Sequence, residues 1–301
     1  MLKNFSYIGP VFIIIAALLW AFDGLIRQHL YTLPPITIIF LEHLIGLIIL
    51  FPFVYKQVFA AKFTKKEFWL LVLIATLSGL LGTLWFTSAL VKVNFITLSV
   101  VFLLQKLQPI FAITTASIFL KERFERGYIP WALLALISAY FVTFKNGMVN
   151  LSTGEGTVVA ALYALGAAVA WGSSTTFSKI LLGKINPQVS TFYRFLFTLV
   201  IALPVLLFFG YGSSLASPTG AQFGWLALIA VSTGMVALLI YYKGLSKTPV
   251  HISTILELTF PFIAILLDMK INNTSLSLTQ WLAAIVLVFS IYQISKLRSE
   301  A

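Results

Sequence analysis

Ten apolar runs follow one another along this 301-residue chain, separated by short polar links. Each is close to the ~20 residues a helix needs to cross a hydrocarbon layer of ~30 Å. Bounded by charges or by Pro, Gly and Asn, they lie near 8–28, 36–55, 67–90, 94–119, 128–145, 155–179, 188–209, 221–243, 251–268 and 277–296. The expected fold is an all-α polytopic membrane protein with ten transmembrane helices. The longest links, near 56–66 and 210–220, are too short to fold alone, so any function must reside within the bilayer. The first run follows Lys3 as a signal peptide would, but nine further runs follow it and no small-residue cleavage site precedes Arg27, so an uncleaved helix is expected.

Composition narrows the function classes. Apolar residues make up 60% of the chain and charged ones 10%. There is no cysteine, hence no disulfide, thiolate metal site or Cys nucleophile. The three histidines, His29, His43 and His251, show no ligand spacing, so neither a metal nor a cofactor is expected. A net charge of +11 would suggest nucleic acid in a soluble chain; here the cations sit in the links, where membrane orientation accounts for them. Fourteen Lys and Arg fall on the side that holds both ends of the chain, and four (Arg27, Lys92, Lys145, Lys270) on the other. Both termini should therefore be cytoplasmic. Short loops and no transit peptide point to a bacterial inner membrane.

The chain also repeats itself. A shift of 151 residues lays Trp20 on Trp171, and a shift of 152 lays Pro35 on Pro187, Glu42 on Arg194, Pro52 on Pro204, Gln105 on Glu257 and Pro109 on Pro261. Residues 1–150 and 151–301 thus read as two five-helix repeats. An odd number of spans forces the second copy in from the opposite face, giving the inverted repeat of a secondary transporter.

On these residues the chain resembles the EamA type of the drug/metabolite transporter superfamily over nearly its whole length. The resemblance is carried by Ala17-Leu-Leu-Trp20 and Val169-Ala-Trp171, by Pro35 and Pro187, and by Leu107-Gln-Pro-Ile-Phe-Ala112 followed by Leu120-Lys-Glu-Arg123. The second copy, Glu257-Leu-Thr-Phe-Pro261 to Asp268-Met-Lys270, keeps the proline but lacks the Glu-Arg turn. At the family's arginine in the second helix of a repeat, Arg194 agrees and Glu42 differs. The resemblance implies a central cavity lined by helices 1, 3, 4, 6, 8 and 9, and several members of that family export amino acids.

An ionisable side chain within a span costs roughly 2.5–3.5 kcal/mol, so each should face a wet cavity or a partner. Asp23, Glu42 and His43 lie at similar depth near one end of helices 1 and 2 and are expected to form one outer cluster, for proton coupling or gating. Glu42 is either part of a proton-titrating pair or an ion-pair partner of Arg27 or Lys106. Lys106 lies near the midplane, while Arg194 and Glu257 sit at mirrored depth from the other face, which suggests an ion pair between helices 7 and 9. Gln105 and Gln108 offer amide groups without charge. Trp20, Trp85, Trp171 and Tyr241 lie away from the loop ends and are candidates for an aromatic cavity wall, with Gln105, Lys106, Gln108 and Glu257 as its polar contacts. Pro109 and Pro261 are candidate hinges for alternating access.

The expected function is a secondary transporter, in the outward direction, of a small amino-acid-like metabolite through a central cavity; it is not an enzyme. Cationic or nucleoside-like cargo, a channel and a lipid scramblase are the alternatives. A small-molecule substrate and the lipid bilayer are the expected partners, with the oligomeric state open and a monomer compatible with the sequence.

Overall fold

The computed structural model describes residues 8–92, 100–123, 127–149, 151, 156–271 and 275–297. Among them the chain is helical without a strand. The helices, in order, are α1 (Ile8–Trp20), α2 (Asp23–Arg27), α3 (Pro35–Ala60), α4 (Lys65–Ile74), α5 (Thr83–Lys92), α6 (Val100–Gln105), α7 (Gln108–Phe119), α8 (Tyr128–Thr143), α9 (Thr157–Leu182), α10 (Pro187–Phe208), α11 (Gly220–Ile229), α12 (Ala237–Leu245), α13 (Val250–Leu256), α14 (Thr259–Ile271) and α15 (Leu278–Lys296). Seven helical stretches among the described residues are long and apolar enough to cross a membrane: Ile8–Leu30, Pro35–Ala60, Lys65–Lys92, Thr157–Leu182, Pro187–Phe208, Gly220–Leu245 and Leu278–Lys296. Gln108–Phe119 and Tyr128–Thr143 are shorter apolar helices. The start expected near 94 lies outside the described residues.

Several of the expected unbroken spans are interrupted, and the interruptions follow the sequence. Turns at 106–107 and 257–258 split α6 from α7 and α13 from α14. Each turn stands just before a proline, Pro109 at the second position of α7 and Pro261 at the third of α14. Proline lacks the N–H a helix interior needs but costs little in a first turn, whose amides have no helical partner, so the chain breaks ahead of it. The two candidate hinges are therefore the starts of second half-helices, not bends within one helix; the Pro261 side chain lies outside the described set. A third break, at 21–22, separates α1 from α2. By contrast Pro52 and Pro204 stay inside continuous α3 and α10.

Two further irregularities are π-helical: Ala75–Gly82 joins α4 to α5, and Ala230–Val236 joins α11 to α12. Both are rich in small residues. The π-helical pattern turns main-chain carbonyls toward side chains of the opposite half: the Trp171 indole N–H donates to the Ser78 carbonyl at 3.3 Å, and that of Trp20 to the Thr233 carbonyl at 2.9 Å. Helix approach at the first is close. A Cβ on Gly82 would stand 2.5 Å from the Trp171 ring, and one on Gly166 2.8 Å from the Trp85 ring, so the stretch from the π-helical segment into α5 interlocks with α9 through reciprocal indole-on-glycine contacts.

Four helix starts among the described residues seal an amide with their N-cap side chain; at α10 Asn186 Oδ1 accepts from the Val189 amide at 2.9 Å. Thr64 with Glu67, Thr219 with Gln222 and Ser277 with Gln280 form capping boxes at α4, α11 and α15. Gln280 also donates to the Val142 carbonyl at 3.1 Å, docking α15 on α8. Large apolar side chains cover the perimeter, Phe208 being 85% and Phe59 78% exposed, as a lipid-facing surface requires, while small residues such as Ala16, Ala112, Ala164 and Ala167 fill the interior.

Candidate functional site

A cavity of about 300 Å³ opens between the two halves of the chain, the lower end of the range for small-molecule sites. Its walls come from α1, α2, α3, α5, both π-helical segments, α9, α10, α11, α12 and the two broken helices. Trp20, Asp23, Glu42, His43, Gln105, Lys106, Gln108, Pro109, Trp171, Arg194, Tyr241 and Glu257 all line it. Trp85, expected in the wall, does not: its ring is held over Gly166 in the α5–α9 contact.

At one end Asp23, Glu42 and His43 lie together around Arg27, which the sequence offered both as a link cation and as a partner for Glu42. Arg27 is 4% exposed. Its Nε and Nη2 donate to Asp23 Oδ2 and Oδ1 at 2.9 and 3.2 Å, and Nη2 donates to Glu42 Oε2 at 3.0 Å. Asp23 Oδ1 also accepts from the Thr233 hydroxyl at 2.6 Å, so the cluster ties α2 to the opposite half. The His43 ring donates from Nδ1 to the Ile39 carbonyl at 2.8 Å and lies 3.5 Å from Glu42 Oε1. Glu42 thus pairs with Arg27 and not with Lys106. The signal was in the sequence, since Arg27 stands four residues after Asp23 at ion-pair spacing.

Deeper in, the two breaks face each other. Lys106 and Gln108 come from the first, Glu257 and Phe260 from the second. Gln108 Nε2 donates to Glu257 Oε2 at 3.0 Å, and the Tyr241 hydroxyl to Oε1 at 2.6 Å. The Lys106 ammonium lies 4.8 Å from the Phe260 ring centre, and among the described residues no carboxylate pairs with it. Gln105 Oε1 is buried without a hydrogen-bond partner. The Tyr241 ring meets Trp20 at 5.0 Å between centroids, tilted by 54°. The expected pair between Arg194 and Glu257 does not form. Arg194 Nη1 donates to the Tyr242 hydroxyl at 3.2 Å while its Nε is buried without a partner. Tyrosine and glutamine donors satisfy Glu257 instead, so the acid needs no neighbouring cation.

Beyond the cavity, a second polar junction escaped sequence reasoning. Glu122, in the Leu120-Lys-Glu-Arg123 stretch, reaches the start of α13: Oε1 accepts from the Val250 amide at 2.9 Å and Oε2 from the His251 amide at 3.2 Å. His251 Nδ1 is 2.6 Å from Oε2, and the ring is buried, not a solvated cap. Burial pushes the Glu122 carboxyl up, but the His251 ring and the two amides outweigh it and hold the group below the ordinary carboxylate value. The Tyr128 hydroxyl donates to the His251 carbonyl at 2.8 Å, and the Lys179 ammonium to the carbonyls of Leu245 and Ser246 at 2.7 and 3.1 Å. The 245–251 turn is thereby gripped from three sides, by contacts far apart in sequence that no local pattern announces.

Comparison with known proteins bears on this geometry. The EamA-like transporter family matches the chain twice, over residues 7–144 and 158–296. A riboflavin transporter, ImpX of Fusobacterium nucleatum, is 36% identical over 295 residues, covering 96% of this chain and 98% of the relative. A solved crystal structure superposes with a TM-score of 0.75 at 16% identity, covering 96% of each chain; the likeness is one of fold.

Proposed function

We propose, for a chain that belongs to the EamA-like transporter family and is a multi-pass membrane transporter of a small molecule, not an enzyme, that its cargo is a flat heteroaromatic metabolite of the riboflavin type. The observation that carries this reading is the pairing of the Trp20–Tyr241 aromatic corner with the Gln108–Glu257 hydrogen-bonding pair in one cavity. Rings stack on or against aromatic side chains, and a few placed polar groups fix their orientation. The named cargo of the 36% identical relative is of this chemistry.

The architecture behind the reading is two inverted five-helix repeats, 1–150 and 151–301, forming ten spans with both termini cytoplasmic, in an inner membrane. The double family match, the paired π-helical segments and the paired breaks support it, as does the excess of basic residues in the links on one side. Alternating access would pass through the cavity, with the half-helix starts at Pro109 and Pro261 as pivots. Asp23, Glu42, His43 and Arg194 would act as the gate. Glu42, held by Arg27, suits gating better than proton carriage.

A second reading has one observation in its favour. Lys106 and Glu257 place opposite charges in the same cavity, which suits an amino-acid-like zwitterion, exported. A cationic cargo would have been favoured by a Lys106–Glu42 pair, and Glu42 is engaged by Arg27 instead.

Flux into and out of proteoliposomes tests these readings, using riboflavin, a neutral amino acid and an organic cation, with and without a pH gradient, in wild type and Glu42→Gln. The expected result is saturable riboflavin flux, with the favoured direction read from the same assay. Saturable amino-acid flux alone would establish the second reading, and unsaturable flux of every solute a channel or scramblase. Gradient stimulation that vanishes in Glu42→Gln would make Glu42 a proton carrier.

A further inference from the structure

Deepening the riboflavin-type reading, on which it rests, we infer that the polar cluster where the two broken helices meet reads one edge of the cargo ring. That edge is an imide, carbonyl–N–H–carbonyl, with Glu257 accepting from its N–H and Lys106 and Gln108 donating to the flanking carbonyls.

The inference follows from counting donors and acceptors. A carboxylate offers about four lone-pair sites, and Glu257 uses two, one on each oxygen, for Gln108 and Tyr241. Sites remain for a third donor, and both protein donors hold the carboxylate in place for it. Gln108 spends one amide hydrogen on Glu257 and keeps the other. Lys106 carries three donors, and no hydrogen bond or ion pair to a described residue uses them; its contact is with the Phe260 ring. An ammonium in a cavity wall with no acceptor among the described residues favours a ligand that supplies one.

The cavity therefore presents donor, acceptor and donor functions from two facing breaks, beside an aromatic corner. An imide edge on a flat ring is the uncharged complement of that set. It satisfies Lys106 and Glu257 together without adding net charge, and its ring reaches the Trp20–Tyr241 corner. An organic cation would leave Lys106 opposed, and a simple anion would leave Glu257 opposed. The half-helix starts explain why these groups are available. Where a helix restarts, side chains at the break project into the space between the two halves instead of along a continuous helix face.

The test compares riboflavin with its N3-methyl analogue, which keeps both carbonyls and removes the one imide donor. Quenching of flavin fluorescence by purified wild type gives both affinities, and riboflavin flux is measured in the same preparation. The expected result is a loss of about tenfold or more for the methylated flavin, because a site built to pair an N–H rejects a ligand lacking it. Glu257→Gln should weaken riboflavin by a similar factor but barely change the analogue, and Lys106→Met should weaken both. Equal affinity of wild type for the two flavins, with riboflavin flux intact, would overturn the edge assignment and leave the riboflavin-type reading standing. Absence of riboflavin flux in wild type would overturn the reading itself. The wild-type comparison needs no variant, so a misfolded Glu257→Gln would not blunt it.

Discussion

The Arg27 cluster and the Glu122 junction both tie one half of the chain to the other, and they do so with opposite chemistry. Around Arg27 the partners are side chains, two carboxylates and one guanidinium, all facing the cavity. Around Glu122 they are two main-chain amides at the start of a helix and the His251 ring, outside the cavity wall. Side chains can exchange partners when a solute or water enters, whereas a carboxylate that seals helix amides is bound to the backbone it stabilises. If the Arg27 cluster is the gate proposed above, change belongs to the first site and anchorage to the second.

The largest expected effect falls on the Arg27 cluster. Arg27→Met leaves the buried Glu42 and the half-buried Asp23 without their cation and should cost about 3–5 kcal/mol, read as a lower thermal midpoint in detergent. Adding Glu42→Leu to that variant should restore part of the loss, because a carboxylate without a partner is removed with it. If the double variant is no more stable than the single one, the cluster is not held together by this pair.

At the Glu122 junction the expected loss is smaller and depends on pH. Glu122→Gln should cost about 1.5–3 kcal/mol at neutral pH, the scale of a hydrogen bond to a charged group. In the folded chain this carboxyl titrates below its ordinary value. Its contribution is therefore complete above the unfolded carboxylate value, about 4.3, and fades as pH falls through the lower folded one. The gap in thermal midpoint between wild type and Glu122→Gln should hold from pH 8 to 5 and close toward pH 3. A gap that widened on acidification would mean that Glu122 is not held as its charged form.

The smallest effect should come from Thr233→Val, which removes the one hydroxyl joining Asp23 to the opposite half, at about 1 kcal/mol. Its value lies in transport: if the Arg27 end changes partners during the cycle, this variant should alter the flux rate more than its stability. Equal proportional losses in both would place the cluster among the anchors beside Glu122.

Much of the fold is legible in the sequence because lipid leaves few options: apolar length marks helices, and the 152-residue shift pairs the two stretches that the family model matches separately. Depth along each helix brought Asp23, Glu42 and His43 together, and placed Lys106 and Glu257 in the cavity. Arg27 was legible as one of two cations that could pair with Glu42, but its bond to Asp23 follows from the four-residue spacing, which was not weighed. Trp85 was misplaced because an indole over a glycine and an indole in a cavity wall have the same local sequence. The breaks were flagged through Pro109 and Pro261, yet their position ahead of the prolines follows from the amide that each proline lacks. The Glu122 contacts, spanning about 130 residues, depend on how the halves dock, which no local pattern encodes.

The capping boxes at Thr64, Thr219 and Ser277 matter for how such a chain is made as well as for what it does. A segment leaving the ribosome meets the lipid before its future neighbours exist, and any amide it exposes there must be satisfied from within. A helix whose first turn closes on its own hydroxyl and carboxylate or amide can partition as a finished unit, at a fixed starting residue. α4 and α11, each of which leads into a π-helical segment, both carry this seal. Membrane insertion can thus set their vertical position first and leave only sideways association to complete the transporter.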